Sequence, residues 1–223
     1  GIIKGVDVRL ITSTFTKSMD RFKPDGTKFT DTNNGLGDFK LVGRYGIFNQ
    51  KTGPANVIVG AGVTIPVGTT DAVDSNGNLL PGGMQLGSGS WNPMFEFGAH
   101  KVSKQHWNSV HFLYVMSMKG ELGPHEFTRS QVLKYNYAYN YALNNKFDVG
   151  AELNGEIKSM GVLNGVDLAT SGGHAIYFAP EVHYKFSKKA YMGICAPIPV
   201  YENLNGPQLG GGLMIVANVV VKF

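Results

Sequence analysis

Residues 147–157 place Phe147, Val149, Ala151, Leu153, Gly155 and Ile157 on one face of an extended chain. Asp148, Gly150, Glu152, Asn154 and Glu156 fall on the other. Helical spacing would mix these two sets, whereas strand side chains alternate with period two. The same alternation returns over 38–48, 56–66, 108–119, 131–143 and 174–186, and more weakly over 5–16, 91–102, 190–201 and 209–223. About ten such segments result, longer than the roughly 5–6 residues of an ordinary globular strand.

The connections alternate too. Those near 49–55, 103–106, 143–146 and 186–189 are short, while those near 16–37, 67–90, 119–127, 159–173 and 201–208 are mostly longer and rich in Gly, Pro, Asn and Asp. In an up-and-down meander every second connection lies at the same end. One end therefore carries turns and the other loops, which is the pattern of an outer-membrane β-barrel. The fold class expected is all-β: a single up-and-down antiparallel transmembrane β-barrel over 1–223, with about ten strands visible.

A soluble sandwich or lipocalin-like barrel fits less well. Its core would have to hold Tyr135, Tyr137, Tyr139 and Tyr141, and each hydroxyl needs a partner when buried. A membrane-facing girdle accepts them, with the ring in lipid and the hydroxyl reaching the headgroups. The chain also closes on Val219-Val220-Val221-Lys222-Phe223, and a terminal aromatic on an alternating strand is the usual ending of bacterial outer-membrane proteins.

Composition narrows the alternatives. Charged residues make up 16% of the 223, against about 25% in an average soluble domain. Glycine, at 30 residues, is about twice its usual share of roughly 7%. Enough Val, Ile, Leu, Phe and Tyr is present to bury a core, so disorder is excluded. Cys195 has no cysteine partner, so a disulfide framework is excluded. No run of about 18 apolar residues suggests a spanning helix. No block of like charges suggests a nucleic-acid arm. The opening Gly1-Ile2-Ile3-Lys4 lacks an initiator Met and reads as a processed or truncated N-terminus.

Several short motifs occur together: Asn34-Gly35-Leu36-Gly37-Asp38, the run from Met84 through Gly-Ser-Gly-Ser-Trp to Pro93, Glu152-Leu153-Asn154-Gly155-Glu156, Ser171-Gly172-Gly173, and the run from Pro199 to Gly210. In order and spacing, over roughly residues 30–223, they resemble the outer-membrane channel family named for the meta-pathway of phenol degradation. The resemblance implies a monomeric barrel of 12 strands in the bacterial outer membrane, passing small, often hydrophobic or aromatic molecules.

If the apolar faces meet lipid, the opposite faces line the lumen. The pore-lining set is Arg9, Lys40, Arg44, Glu96, His100, His111, Lys134, Asp148, Glu152, Glu156, Tyr177, Glu181, His183 and Met214, with Asp7, Lys158 and Lys185 beside them. Acids and bases are mixed along it, so structural pairing competes with a role in guiding solute, because an unpaired buried charge is costly. Met94, Leu113, Val115, Tyr177, Met214 and Val216 interleave as an apolar path. Pro66, Pro197 and Pro199 interrupt strands, which marks either strand ends or a lateral opening; Pro197 and Pro199 read as lumen-facing beside Cys195 and Tyr201.

An enzyme is not expected. Glu152 and Glu156 lie about 13 Å apart along a strand, wider than the roughly 5–9.5 Å of glycosidase carboxylate pairs. The histidines are scattered, with no zinc spacing; of those, only His125 and His174 fall near the outer rim. Residues 71–78 lack the terminal Glu of a calcium loop and read as a solvated Asn-Gly turn. No cofactor, metal or nucleic acid is expected. The partners expected are outer-membrane lipids, lipopolysaccharide and small hydrophobic or aromatic solutes. Lys17, Arg21, Lys23 and Lys28 are either lipopolysaccharide contacts or an ordinary solvated loop. The alternative function is a non-transporting structural barrel of the envelope or, less well supported, a barrel enzyme.

Overall fold

The structure, a computed structural model, describes residues 5–51, 53–187, 189–208, 210–212 and 214–221. Gly1–Lys4 and the closing Phe223 therefore lie outside the described residues, and so does Leu209 of the Pro199–Gly210 run. Every regular element described is a strand: β1 (Val6–Ile11), β2 (Thr14–Phe22), β3 (Lys28–Leu36), β4 (Phe39–Phe48), β5 (Asn56–Ile65), β6 (Asn92–Ser103), β7 (His106–Val115), β8 (Lys119–Leu122), β9 (His125–Thr128), β10 (Val132–Ala142), β11 (Phe147–Lys158), β12 (Val162–Leu163), β13 (Val166–Asp167), β14 (Gly173–Lys185), β15 (Ala190–Cys195), β16 (Ile198–Leu204) and β17 (Val216–Val221).

One antiparallel sheet forms the wall, in the order β1-β4-β5-β6-β7-β10-β11-β14-β15-β17. β16 continues the line of β15 and also pairs with β14. Among the described residues the wall thus has the ten positions that the alternation suggests, two fewer than the resemblance implies. Among the described residues no pairing joins β1 to β17. Even so, one cavity is lined from β6 round to β17, so the sheet curls about its inner face.

Three loops of the sequence reading contain strands. Residues 16–37 form the β2–β3 hairpin, with Thr14 opposite Leu36 and Phe22 opposite Lys28. The β7–β10 and β11–β14 connections supply β8–β9 and β12–β13, which pair as a second small sheet. Asn164 and Gly165 both adopt positive φ (50° and 80°) at the β12–β13 turn, the backbone an Asn-Gly pair favours. These strands escape a period-two reading because they bury only part of one face above the wall.

The segment 66–91 also departs from expectation. Its Gly, Pro, Asn and Asp content reads as a long irregular loop, yet it holds Leu80 and Gln85, the most deeply buried large side chains described. Its stretch 84–88 is buried, with its polar groups satisfied by protein partners. The Gln85 amide bonds to Ala72 N–H, Ala72 O and Leu80 O. Lys17 Nζ donates to Gly83 O and Gln85 O, Asn33 to Met84 O, and Arg129 to Gly87 O. Asp38 accepts from Gly68 N–H and Ser88 N–H at 3.0 and 2.7 Å. At Gly87 a Cβ would stand 2.0 Å from Gly68 O, so the Gly-Ser-Gly-Ser run needs glycine there. The segment caps the loop end between the β2–β3 hairpin and β8–β9.

The tip of the 71–78 turn is exposed, as expected, but Asp74 is buried beneath it. Its carboxylate accepts from the Asn76 and Asn78 amides and pairs with Arg21 at 3.2 Å. Three of the four cations of the first long loop therefore have partners within the protein: Lys17 as above, Arg21 with Asp31 and Asp74, and Lys28 with Asp20.

Candidate functional site: the inner face of the wall

Register assigns the faces. The line Arg44, Gly60, Glu96, Leu113, Lys134, Glu156 and Ala175 crosses seven strands through successive pairings. A second line runs through Asn140, Gly150, Glu181, Cys195 and Val216. Side chains on these lines share the face toward the cavity. The opposite face carries Leu41, Val59, Phe95, Phe97, Phe112, Tyr137, Leu153, Phe178 and Val182, each more than a third exposed. That is an apolar exterior around a polar interior, the reverse of a soluble core.

Thirteen of the fourteen sequence-predicted lining residues lie on strands at inner-face positions; Met214 lies in the chain leading into β17. They gather into local groups. Arg44 pairs with Asp7 and approaches Glu96 Oε1 at 3.5 Å, while His111 Nε2 sits 3.2 Å from Glu96 Oε2. Arg9 lies 3.8 Å from Asp7. Asn56 and His100 are 3.1 Å apart. Glu156 lies between Lys134 and Lys158, 3.0 Å from the former. Glu152 accepts from Asn136 and Asn154, Glu181 from Asn140, and Lys185 holds Asp148 at 2.6 Å. His183 Nε2 is 3.4 Å from Glu181. Lys40 is exposed at its inner-face position.

Glycine makes several of these pairs possible, a role that composition alone does not reveal. Gly60 stands between Arg44 and Glu96, Gly150 between Asn140 and Glu181, and Gly193 between His183 and Asn218. A Cβ would meet Glu96 Cγ at 2.5 Å at Gly60, Asn140 Oδ1 at 2.3 Å at Gly150, and His183 Cδ2 at 2.5 Å at Gly193. Each glycine leaves a gap on the inner face into which side chains of the strands on either side lean.

Two cavities occupy this face. One of about 380 Å³ is lined by His111, Leu113, Lys134, Asn136, Glu156, Tyr177 and Met214. The other, about 530 Å³ at the turn end, is lined by Trp107, Asn140, Asp148, Glu152, Glu181, His183, Lys185 and Tyr191. The first mixes an ion pair with Leu113, Met214 and an aromatic ring; the second is more polar. No group of three or more His, Cys, Asp or Glu suited to a metal occurs among the described residues.

Two expectations change. The hydroxyls of the β10 tyrosines meet protein partners rather than reaching outward alone: Tyr135 with His174, Tyr137 with Asn108, Tyr139 with His106 and Tyr141 with Gln105. Tyr201 also leaves the lumen. A register shift between Ile176 and Tyr177 pairs it with Ile176 on the outer face, where His174 packs edge-on at 5.2 Å. Pro199 stays opposite Tyr177 on the inner face, and Pro197 falls in the break between β15 and β16. Pro66 follows the last residue of β5. Of the rim histidines, His125 contacts Asn164 and His174 contacts Tyr135; neither contact is an acid.

A family model described as "Putative MetA-pathway of phenol degradation" matches residues 6–192. Among solved structures, the crystal structure of an outer-membrane channel from Pseudomonas putida F1 is similar, with a TM-score of 0.70 and 10% identity over 99% of this chain and 79% of that one. Likeness at that identity speaks to fold. Comparison with curated proteins gives no match.

Proposed function

Because this chain belongs to the family described as putative MetA-pathway of phenol degradation, we propose that it is a channel of the bacterial outer membrane for small neutral molecules, hydrophobic or aromatic in character. The observation that carries this reading is the cavity of about 380 Å³, where Leu113, Tyr177 and Met214 stand beside the Lys134–Glu156 pair. Charges on the inner face largely neutralise one another locally, so no single-sign field forms to concentrate ions. An apolar ring finds contact there, and the paired charges keep the path wet.

In this reading Arg44, Glu96, Asp148, Glu152, Glu156 and Glu181 hold the lumen's shape, while Leu113, Tyr177 and Met214 meet the solute. The barrel acts as a monomer, with its turns on the periplasmic side. The test is uptake by cells lacking the gene and complemented with variants. Uptake of monoaromatic compounds should fall on deletion, return with the native gene, and stay low with Tyr177→Asp/Met214→Asp at equal barrel abundance. Normal aromatic uptake in deleted cells, with loss of a sugar or phosphate instead, would overturn the solute assignment.

A further inference from the structure

Free positive charge collects at one end of the wall. Each of the four short turns of the wall carries an exposed lysine whose ammonium group has no ion-pair partner among the described residues: Lys51 between β4 and β5, Lys104 between β6 and β7, Lys146 between β10 and β11, and Lys189 between β14 and β15. No acid lies within 49–55, 101–106, 143–146 or 186–189, and Asp148, just inside, is held by Lys185. At the loop end, by contrast, Arg21, Lys28 and Lys119 are matched by Asp31, Asp74, Asp20 and Glu126, leaving Lys23 and Lys40 as exposed cations without an ion pair among the described residues. Lys104 even adopts φ of 52°, where glycine is the low-cost residue.

We infer that these turn lysines form a collar that binds the phosphate headgroups of anionic glycerophospholipids in the leaflet facing the turns. Depth supports this occupant. On the outer face, one to three residues inside the lysines, stand Phe48, His106, Phe147 and Phe186, the aromatic belt expected at the membrane interface. A strand advances about 3.3 Å per residue, so the ammonium groups lie just beyond the belt, at phosphate depth. The lysines occur at every turn around the wall rather than on one side, which fits a lipid annulus better than a single docked protein. Lysines near an anionic surface attract it, and salt weakens the attraction.

This rests on the barrel reading above, and the experiment separates the two. The full chain is reconstituted in phosphatidylcholine vesicles containing a minority of phosphatidylglycerol, and spin-labelled lipids of each headgroup report association with the protein. The native barrel should prefer phosphatidylglycerol by about twofold or more at low salt, with the preference fading at high salt. Replacing Lys51, Lys104, Lys146 and Lys189 with Gln should abolish it, whereas replacing Lys17, Lys23 and Lys28 should not. A folded native barrel with no preference, or an unchanged preference in the four-lysine variant, overturns the collar alone and points to an acidic protein or to no partner. Failure of the native chain to insert at all overturns the barrel reading, and the collar with it.

Discussion

Asn140 Nδ2 donates to Glu181 Oε1 at 2.7 Å across a strand that belongs to neither residue. β11 runs between them, and at the crossing point its residue is Gly150, paired with Asn140 on one side and Glu181 on the other. Both polar residues are buried, so the bond forms where water is scarce and its loss costs more than at a surface. The gap left by one missing side chain therefore holds two strands' polar groups together.

Gly150→Ala should break that arrangement. Its Cβ would stand 2.3 Å from Asn140 Oδ1 and 2.5 Å from Tyr139 O, an overpacking expected to cost about 1–3 kcal/mol. Urea titration of the reconstituted barrel measures it. Asn140→Ala placed in the Gly150→Ala background should recover part of the loss, and strictly additive losses would show that the two sites do not communicate.

Most of the wall was legible because one face of each strand is apolar and the other polar, so polarity writes the register into 131–143, 147–157 and 174–186. The inner-face positions of Glu96, Lys134, Glu152 and Glu181 follow from the same alternation. What escaped reading was set by contacts distant in sequence. Gln85 is buried by bonds to Ala72 and Leu80 within a glycine-rich segment, and nothing in its neighbours' polarity announces this. Tyr201 leaves the lumen because of a bulge opposite Ile176 and Tyr177, and a one-residue shift exchanges the faces of everything beyond it.

The two faces should differ in their tolerance of charge. Leu153 lies midway along β11 and is half-exposed on the outer face, so Leu153→Arg should cost about 2–4 kcal/mol in a bilayer. Glu156→Gln should cost less, about 1 kcal/mol, because Lys134 and Lys158 are half-exposed and keep access to water. Unfolding measurements on both variants in the same vesicles decide it, and equal costs would argue against lipid at Leu153.

The cap should loosen in acid. The Asn76 and Asn78 amides and Arg21 hold the Asp74 carboxyl below the ordinary carboxylate range, the Asn78 amide contributing most. A carboxylate whose folded pKa is depressed adds stability that is fully present above its unfolded value and disappears as pH falls through the folded one. Protease cutting within 66–91 should therefore stay slow at neutral pH and accelerate as pH drops below the usual carboxylate range. Asp74→Asn should cut faster already at neutral pH and respond less to acid.

The central claim is that one face of each strand meets lipid and the other a wet interior. Site-directed spin labels in a Cys195→Ala background read this directly, with oxygen reporting lipid and a water-soluble nickel chelate reporting water. Labels at Tyr137, Val149, Leu153 and Phe178 should favour oxygen, and labels at Asn136, Asp148, Glu152 and Glu181 should favour the chelate or be shielded from both by protein. Chelate access equal at the two sets, or higher at the first, would contradict the account.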